Sequence, residues 1–213
     1  MIKIRKGPTP QLLIDKESQW TLELKQARDN GADDERFRRR YRKPEIIDAL
    51  VSETHGKCVY CECAPLPGIY RIVEHIVPWS ADHSLAFSWS NLVLICERCN
   101  NAKDDYYDIS DPVINPTIDT PTEELVFVSA MIFGSSTKGS TSVVELKLNR
   151  PDLYEARRKL LRQIDKIVNG LSAINTAPRD IRSIVMDAFA SAESQYSQTA
   201  ASYITRSTAP AVI

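Results

Sequence analysis

The sequence lacks an excess of basic residues, because 27 Lys and Arg are balanced by 28 Asp and Glu and the formal net charge is -1. Overall charge therefore gives no case for nucleic-acid binding, and any phosphate-binding surface must be local. The sequence also lacks an apolar run that approaches the roughly 18 residues of a membrane span. We therefore expect no membrane-embedded segment.

A secretory signal is also missing. The opening residues, MIKIRKGPTPQLLIDK, contain neither an apolar h-region nor a small-residue cleavage site. The five cysteines are an odd number, and four of them form two Cys-x-x-Cys pairs. In a chain without a signal, this pattern argues against a disulfide scaffold and favours metal thiolates in a reducing compartment. The expected location is cytoplasmic.

The two cysteine pairs, Cys58/Cys61 and Cys96/Cys99, enclose one compact segment. A gap of two residues lets both sulfurs of a pair point inward from one tight turn, so two pairs can supply a tetrahedral Zn²⁺. We predict a closed, structural zinc site in preference to a redox dithiol. Cys63 is left over; it could replace Cys61 as a ligand, but the symmetry of the pairs favours Cys61 and leaves Cys63 as a buried free thiol.

An acid–histidine pair, Glu74-His75, lies between the cysteine pairs. His75 has an ordinary pKa of about 6.5 and can act as a general base. Glu74 offers the hard oxygen that Mg²⁺ or Mn²⁺ prefers. Adjacent residues of a regular strand point to opposite faces, so the two can share a site only at a bulge or a strand end. Pro78 indicates that the strand does stop just downstream.

Two asparagines complete the candidate site. Asn100 directly follows the last cysteine at the start of a predicted helix, where its side-chain oxygen could face a catalytic metal ion. The alternative is a helix N-cap, and Asn101 competes for either role. Asn91 precedes a predicted strand, and its amide can bond the backbone near His75 and so fix the ring; the alternative is an ordinary loop asparagine.

Other candidates have weaker support. His83 could be an extra metal ligand or substrate contact, or could simply be exposed, and His55 is interpreted as structural. The basic run RFRRRYRK, residues 36–43, could track phosphates or form a solvated helix face. Four aromatic side chains could stack on bases, although packing is the commoner role: Trp79, Trp89, Tyr106 and Tyr107.

The predicted fold class is α+β: a small zinc-stapled core in a mainly helical frame with an additional β-hairpin. We divide the chain into an N-terminal arm with helices (1–54), the core (55–108), and a connection, hairpin and C-terminal helices (109–213). The predicted elements are helices from Asp15, from about Asp33-Asp34 and from Pro44, a hairpin from strands 125–133 and 143–148, helices over 151–171 and 178–189, and a poorly ordered tail.

The motifs CVYC, VEHIVP and WSNLVLICERCNNAK resemble the HNH endonucleases of the ββα-metal type that carry zinc knuckles. The resemblance implies metal-assisted hydrolysis of a phosphodiester of DNA that leaves a 3′-hydroxyl and a 5′-phosphate. It also implies that His75 is the general base, that Glu74 and Asn100 hold Mg²⁺ or Mn²⁺, and that Asn91 positions the histidine loop.

The flanking sequences extend the resemblance to the retron- and Septu-associated HNH proteins over roughly residues 1–165. One departure is Trp79, since many relatives carry a lysine after this motif. The resemblance implies the nuclease half of an antiphage defence pair whose partner is an ABC/SMC-like ATPase of the PtuA type. Two alternatives stay open: a non-catalytic zinc-knuckle module that binds nucleic acid or a partner, and an HNH nuclease with a restriction or packaging role.

Overall fold

The computed structural model describes residues 1–31, 35–64, 71–173 and 177–207. It confirms the α+β class, with helices around two separate two-stranded antiparallel sheets. The elements are α1 Gln11–Asp29, α2 Glu35–Arg38, α3 Pro44–Thr54, β1 Arg71–His75, β2 Leu92–Cys96, α4 Glu97–Lys103, α5 Pro121–Glu124, β3 Leu125–Val128, β4 Met131–Gly134, α6 Thr137–Glu145, α7 Pro151–Ala173, α8 Pro178–Phe189 and α9 Ser197–Ser207. None of the helices in these ranges is long and apolar enough to cross a membrane.

The first helix begins earlier than the sequence pattern indicated. α1 starts at Gln11 instead of Asp15, because Pro10 has φ -53° and its carbonyl accepts hydrogen bonds from the next turn of the helix. The predicted start at Asp33-Asp34 lies outside the described residues, and α2 covers only Glu35–Arg38. The chain then turns, so that Tyr41 lies between helices. α3 begins at Pro44 as predicted.

The core of the fold is a hairpin followed at once by a helix. β1 pairs antiparallel with β2 in a register that places His75 opposite Leu92, and α4 begins directly after β2. Every residue of β2 is buried. Leu92 and Leu94 pack with α1 and α3, whereas Val93 and Ile95 pack with the cysteines and the C-terminal half. The alternation of the strand therefore joins two hydrophobic clusters.

The second hairpin was predicted at the wrong place. Residues 125–133 do not form one strand but contain β3, a turn and most of β4, and the predicted strand 143–148 is the last turn of helix α6 followed by a turn at 146–148. The segment GSSTKGS, interpreted as a turn, instead starts that helix, because Ser136 Oγ accepts the Gly139 N–H as an N-cap. A Cβ atom on Gly139 would lie 1.9 Å from the Glu124 carbonyl oxygen, so only glycine permits this approach.

The C-terminal helices α7 and α8 are confirmed, but the prediction of a poorly ordered tail is wrong over residues 197–207. α9 forms there because Ala200 and Ile204, four residues apart, pack against Leu161 and Ile164 of α7 and the apolar face of α8. The predicted tail began at residue 191; residues 191–196 form bends and turns, and 208–213 lie outside the described residues.

A buried carboxylate fixes the start of α9 to the first cysteine turn. Glu62 accepts hydrogen bonds from Ser197 Oγ at 2.8 Å and from the Gln198 N–H at 3.1 Å, and forms an ion pair with the amino group of Met1. Lys57 Nζ donates to the Ser194 carbonyl at 2.9 Å. Met1 and the start of α9 therefore both contact this turn.

Candidate active site

The structure brings the four paired cysteines together. The sulfur atoms of Cys58, Cys61, Cys96 and Cys99 all lie within 4.8 Å of one another, and all four residues are buried. Tetrahedral coordination with a Zn–S distance of about 2.3 Å places sulfurs roughly 3.8 Å apart. The Sγ atoms of Cys61 and Cys96 are 3.8 Å apart. The donor set and its spacing therefore fit the predicted zinc ion.

Two further side chains border this cluster. Cys63, half-buried rather than fully buried as predicted, has its sulfur 3.3 Å from Cys61 Sγ but does not belong to the four-sulfur group. The guanidinium of Arg150 lies 3.5 Å from Cys99 Sγ. Burial lowers the pKa of Arg150, but the cysteines outweigh it and raise that pKa. This arginine was not predicted from the sequence, since no local pattern links the residue before α7 to the cysteine motif.

A cavity of about 550 Å³ brings Glu74, His75 and Asn100 together. His75 is the last residue of β1, so Glu74 and His75 share the cavity where strand alternation ends, as the position of Pro78 predicted. The remaining lining residues come from the core and the N-terminal arm: Tyr41, Arg42, Ile47, Arg71, Ile72, Val73, Pro78, Trp79, Ser80, Asp104 and Asp105.

A hydrogen bond and neighbouring aromatic rings hold the imidazole of His75. Its Nε2 lies 2.8 Å from the Ala86 carbonyl oxygen. A carbonyl can only accept, so Nε2 carries the proton and the neutral ring has its basic lone pair on Nδ1. The rings of Tyr41 and His75 pack edge to face with their centroids 4.7 Å apart, and the centroid of the Trp79 ring lies 6.0 Å from that of His75. Only 6% of His75 is exposed.

Asn91 fixes the loop that follows His75. Its Oδ1 accepts the Val77 N–H at 2.8 Å, and its Nδ2 donates to the carbonyls of Val77 at 3.0 Å and Leu85 at 3.2 Å. The predicted bond from Asn91 to the backbone near His75 is therefore present. The amide joins both ends of the loop that also presents the Ala86 carbonyl to His75.

A buried lysine at the end of α4 contacts both residues of the acid–histidine pair. Lys103 Nζ lies 2.8 Å from Glu74 Oε1 and donates to the His75 carbonyl at 3.1 Å, and its side chain is fully buried. Burial raises the pKa of Glu74, and the ion pair with Lys103 opposes that rise. Sequence analysis assigned no role to Lys103, although its position one turn after Asn100 was the available signal.

Asn100 lies in the body of α4, whose N-cap is Cys96, so the N-cap alternative for Asn100 is wrong. Asn101 is exposed and does not line the cavity. The Glu74 carboxylate and the Asn100 amide oxygen are hard donors at one cavity, which fits Mg²⁺ or Mn²⁺. Asp104 and Asp105, which sequence analysis missed, add two carboxylates to the same wall.

The weaker candidates lie elsewhere. His83 lines a separate cavity of about 380 Å³ beside α1 and does not line the one that contains His75. His55 ends α3 with φ 51°, which agrees with a structural role. Trp89 is buried and its Nε1 donates to the Gly7 carbonyl at 3.0 Å, so it packs instead of offering a face to a base.

Comparison with known proteins agrees with this geometry. Residues 58–105 match the family model described as HNH endonuclease. The chain is 35% identical over 162 residues to "Septu protein PtuB" of Bacillus thuringiensis, an alignment that covers 76% of this chain and 60% of that protein. It is 29% identical over 220 residues to "Septu protein PtuB" of Bacillus mycoides, covering 84% of this chain and 75% of that one. The predicted resemblance to HNH endonucleases and Septu proteins is confirmed.

Proposed function

We propose that this chain is a metal-dependent HNH endonuclease that hydrolyses phosphodiester bonds of DNA. The observation that carries the proposal is the cavity that unites Glu74, His75 and Asn100, while Asn91 fixes the histidine loop. A module that only binds nucleic acid or a partner has no need for a base, a hard-ligand pair and a loop clamp around one cavity.

His75 acts as the general base in this proposal. Its Nδ1 lone pair takes a proton from the attacking water, and the Ala86 carbonyl holds Nε2–H and stabilises the imidazolium that forms. Lys103 favours the ionised form of the Glu74 carboxylate and orients it through their ion pair. Glu74 and Asn100 would hold Mg²⁺ or Mn²⁺, and the bound ion supplies positive charge that stabilises the phosphate as negative charge develops on it.

The cysteine cluster has a structural role in this proposal. A Zn²⁺ ion held by Cys58, Cys61, Cys96 and Cys99 has four protein ligands and no open position, so it does no chemistry. It ties the turn after α3 to the junction of β2 and α4. Because Asn100 directly follows Cys99, the zinc fixes the part of α4 that faces the cavity.

We further propose that the chain serves as the nuclease subunit of a Septu-type antiphage defence system in the cytoplasm, together with an ABC/SMC-like ATPase. Similarity to two proteins named "Septu protein PtuB" supports the defence role. The chain spans 60% of the length of the Bacillus thuringiensis relative. Co-expression with an ATPase of the PtuA type and co-purification of the two test the partner; absence of a complex contradicts it.

Cleavage of supercoiled plasmid DNA tests the activity. Purified protein with Mg²⁺ or Mn²⁺, alone and with the ATPase, should nick the plasmid, and His75→Ala should lower the rate by at least about 100-fold, as expected for loss of a general base. His55→Ala is the matched control, since His55 is exposed and lies outside the cavity. Equal cleavage by wild type and His75→Ala would favour the non-catalytic binding module.

A further inference from the structure

The structure separates the arginines of the basic run, residues 36–43. The guanidinium of Arg40 forms an ion pair with Glu23 at 2.7 Å and lies over the rings of Trp20 and Phe37. That arginine is therefore committed to holding the arm against α1. Arg39 is exposed and does not line the cavity, whereas Arg42 does line it. The run consequently does not act as one uniform basic face.

Arg42 is connected to the candidate base through one aromatic ring. Its guanidinium carbon lies 5.6 Å from the centroid of the Tyr41 ring, and that centroid lies 4.7 Å from the centroid of the His75 ring. Tyr41 is only 5% exposed, so the turn before Pro44 is anchored at the cavity. Among the residues that the structure describes, no carboxylate forms an ion pair with Arg42.

The charges of the cavity explain what Arg42 can do. Among the residues that the structure describes, the carboxylates of Glu74, Asp104 and Asp105 line the cavity, and Lys103 forms an ion pair with Glu74. A phosphodiester is an anion and is repelled by such a wall unless cations are present. A divalent ion offsets part of this charge. Arg42 and Arg71 are the two arginines on the wall, and a planar guanidinium can bind two phosphate oxygens at once.

We propose that Arg42 is a substrate-positioning residue that binds a backbone phosphate of the nucleic acid at the mouth of the His75 cavity. It comes from the N-terminal arm and lies outside residues 58–105, which match the HNH endonuclease model. The contact recognises phosphate and not base identity, so it contributes affinity without sequence preference. The proposal rests on the proposed nuclease function and adds the residue that holds the substrate at that site.

The test measures binding and cleavage separately. Three proteins are compared: His75→Ala alone, His75→Ala with Arg42→Ala, and His75→Ala with Arg39→Ala. The affinity of each for a short DNA duplex is measured at several NaCl concentrations. Arg42→Ala should weaken binding about tenfold and lower the slope of log K against log salt by about 0.9, as loss of one phosphate contact requires. Arg39→Ala should stay within about twofold.

Cleavage kinetics give a second readout. With His75 intact, Arg42→Ala should raise KM about tenfold and change kcat less, because it removes binding shared by ground and transition states. Arg42→Lys keeps the charge and should keep the salt slope, with an affinity between those of the arginine and alanine proteins. The thermal midpoint of Arg42→Ala should lie within about 4 °C of that of wild type, because this exposed side chain contributes only a weak contact with the Tyr41 ring.

Two outcomes overturn the proposal on Arg42 alone. Equal losses for Arg42→Ala and Arg39→Ala would mean that the run acts as a diffuse electrostatic face. Cleavage by wild type together with unchanged binding by Arg42→Ala would remove Arg42 from the substrate site. If wild type neither binds nor cleaves duplex DNA in the presence of Mg²⁺ and Mn²⁺, the proposed function itself fails, and the assignment of Arg42 fails with it.

Discussion

The cysteine cluster and the His75 cavity are neighbours with opposite properties. The cluster is closed, with four buried residues of one type from two short segments. The cavity is open and mixed in chemistry, and its wall comes from residues 41–47, 71–80 and 100–105. The two meet at Cys99-Asn100 in α4. A site of the first kind is specified by local spacing, whereas one of the second kind exists only once distant segments have packed.

The same difference separates the expected effects of mutation. The cluster joins the turn after α3 to the start of α4, so its loss should act first on stability and only through it on activity. The cavity residues sit on a frame that two hydrophobic clusters already hold. Their loss should act first on activity, except where a buried charge loses its partner. Three substitutions test this division.

The largest expected loss of stability follows from a substitution in the cysteine cluster. Cys99→Ser should abolish zinc binding and cooperative thermal unfolding, because structural zinc contributes about 10–16 kcal/mol in small domains, about as much as a whole domain's stability. Zinc content by mass spectrometry and circular dichroism melts measure both. Cys63→Ser is the control and should retain one zinc per chain, because Cys63 stands outside the four-sulfur group. A Cys99→Ser protein that still binds zinc and unfolds cooperatively would contradict the structural role of the cysteine cluster.

Substitution of Lys103 should have an intermediate effect on stability, because this side chain is buried and pairs with a residue of the cavity. Lys103→Met fills similar volume but leaves the Glu74 carboxylate without its cation. Removing one member of a buried ion pair costs about 3–5 kcal/mol, and we expect the lower end because the Glu74 side chain is 15% exposed. Urea unfolding measures the change. A loss below about 1 kcal/mol would show that the pair is effectively solvated.

A double substitution separates the charge from the packing. Glu74→Gln with Lys103→Met removes both charges, so it should recover much of the stability that Lys103→Met loses, because no unpaired ion remains in the buried site. DNA cleavage should not recover, since the proposed metal ligand is gone. Recovery of cleavage by the double variant would exclude Glu74 from the proposed metal site.

Sequence analysis predicted what local spacing encodes. The cysteine pairs, the strand end at His75 and the helix after Cys99 all follow from residues within a few positions of each other. Tertiary packing decided the rest. Tyr41 reaches His75 only because the chain turns between α2 and α3, and Arg150 reaches the cysteines from the position just before α7.

Two of the errors in secondary structure, those at α6 and α9, also have physical causes. A serine-rich segment can serve either as a turn or as a helix cap. Here Ser136 caps α6, and Gly139, which has no Cβ atom, lets the first turn of that helix lie against the Glu124 carbonyl. α9 has few apolar residues, so its pattern is weak. Glu62 fixes its first turn, and Ala200 and Ile204 fix its face, through contacts that the local composition does not reveal.

The smallest expected effect on stability, with a larger one on activity, is at Asn91. Asn91→Ala leaves the Val77 N–H and the carbonyls of Val77 and Leu85 without their side-chain partner. The cost is about 1–3 kcal/mol in unfolding free energy. Cleavage should fall by more than this stability loss explains, because the freed loop also carries the Ala86 carbonyl that orients His75.

Asn91→Asp keeps the acceptor for the Val77 N–H but loses both donated bonds, so it should be at least as inactive as Asn91→Ala. Stability measured by urea unfolding and kcat measured on the same preparations decide the point, and full activity in a destabilised Asn91→Ala protein would make Asn91 a purely structural residue like the cysteines.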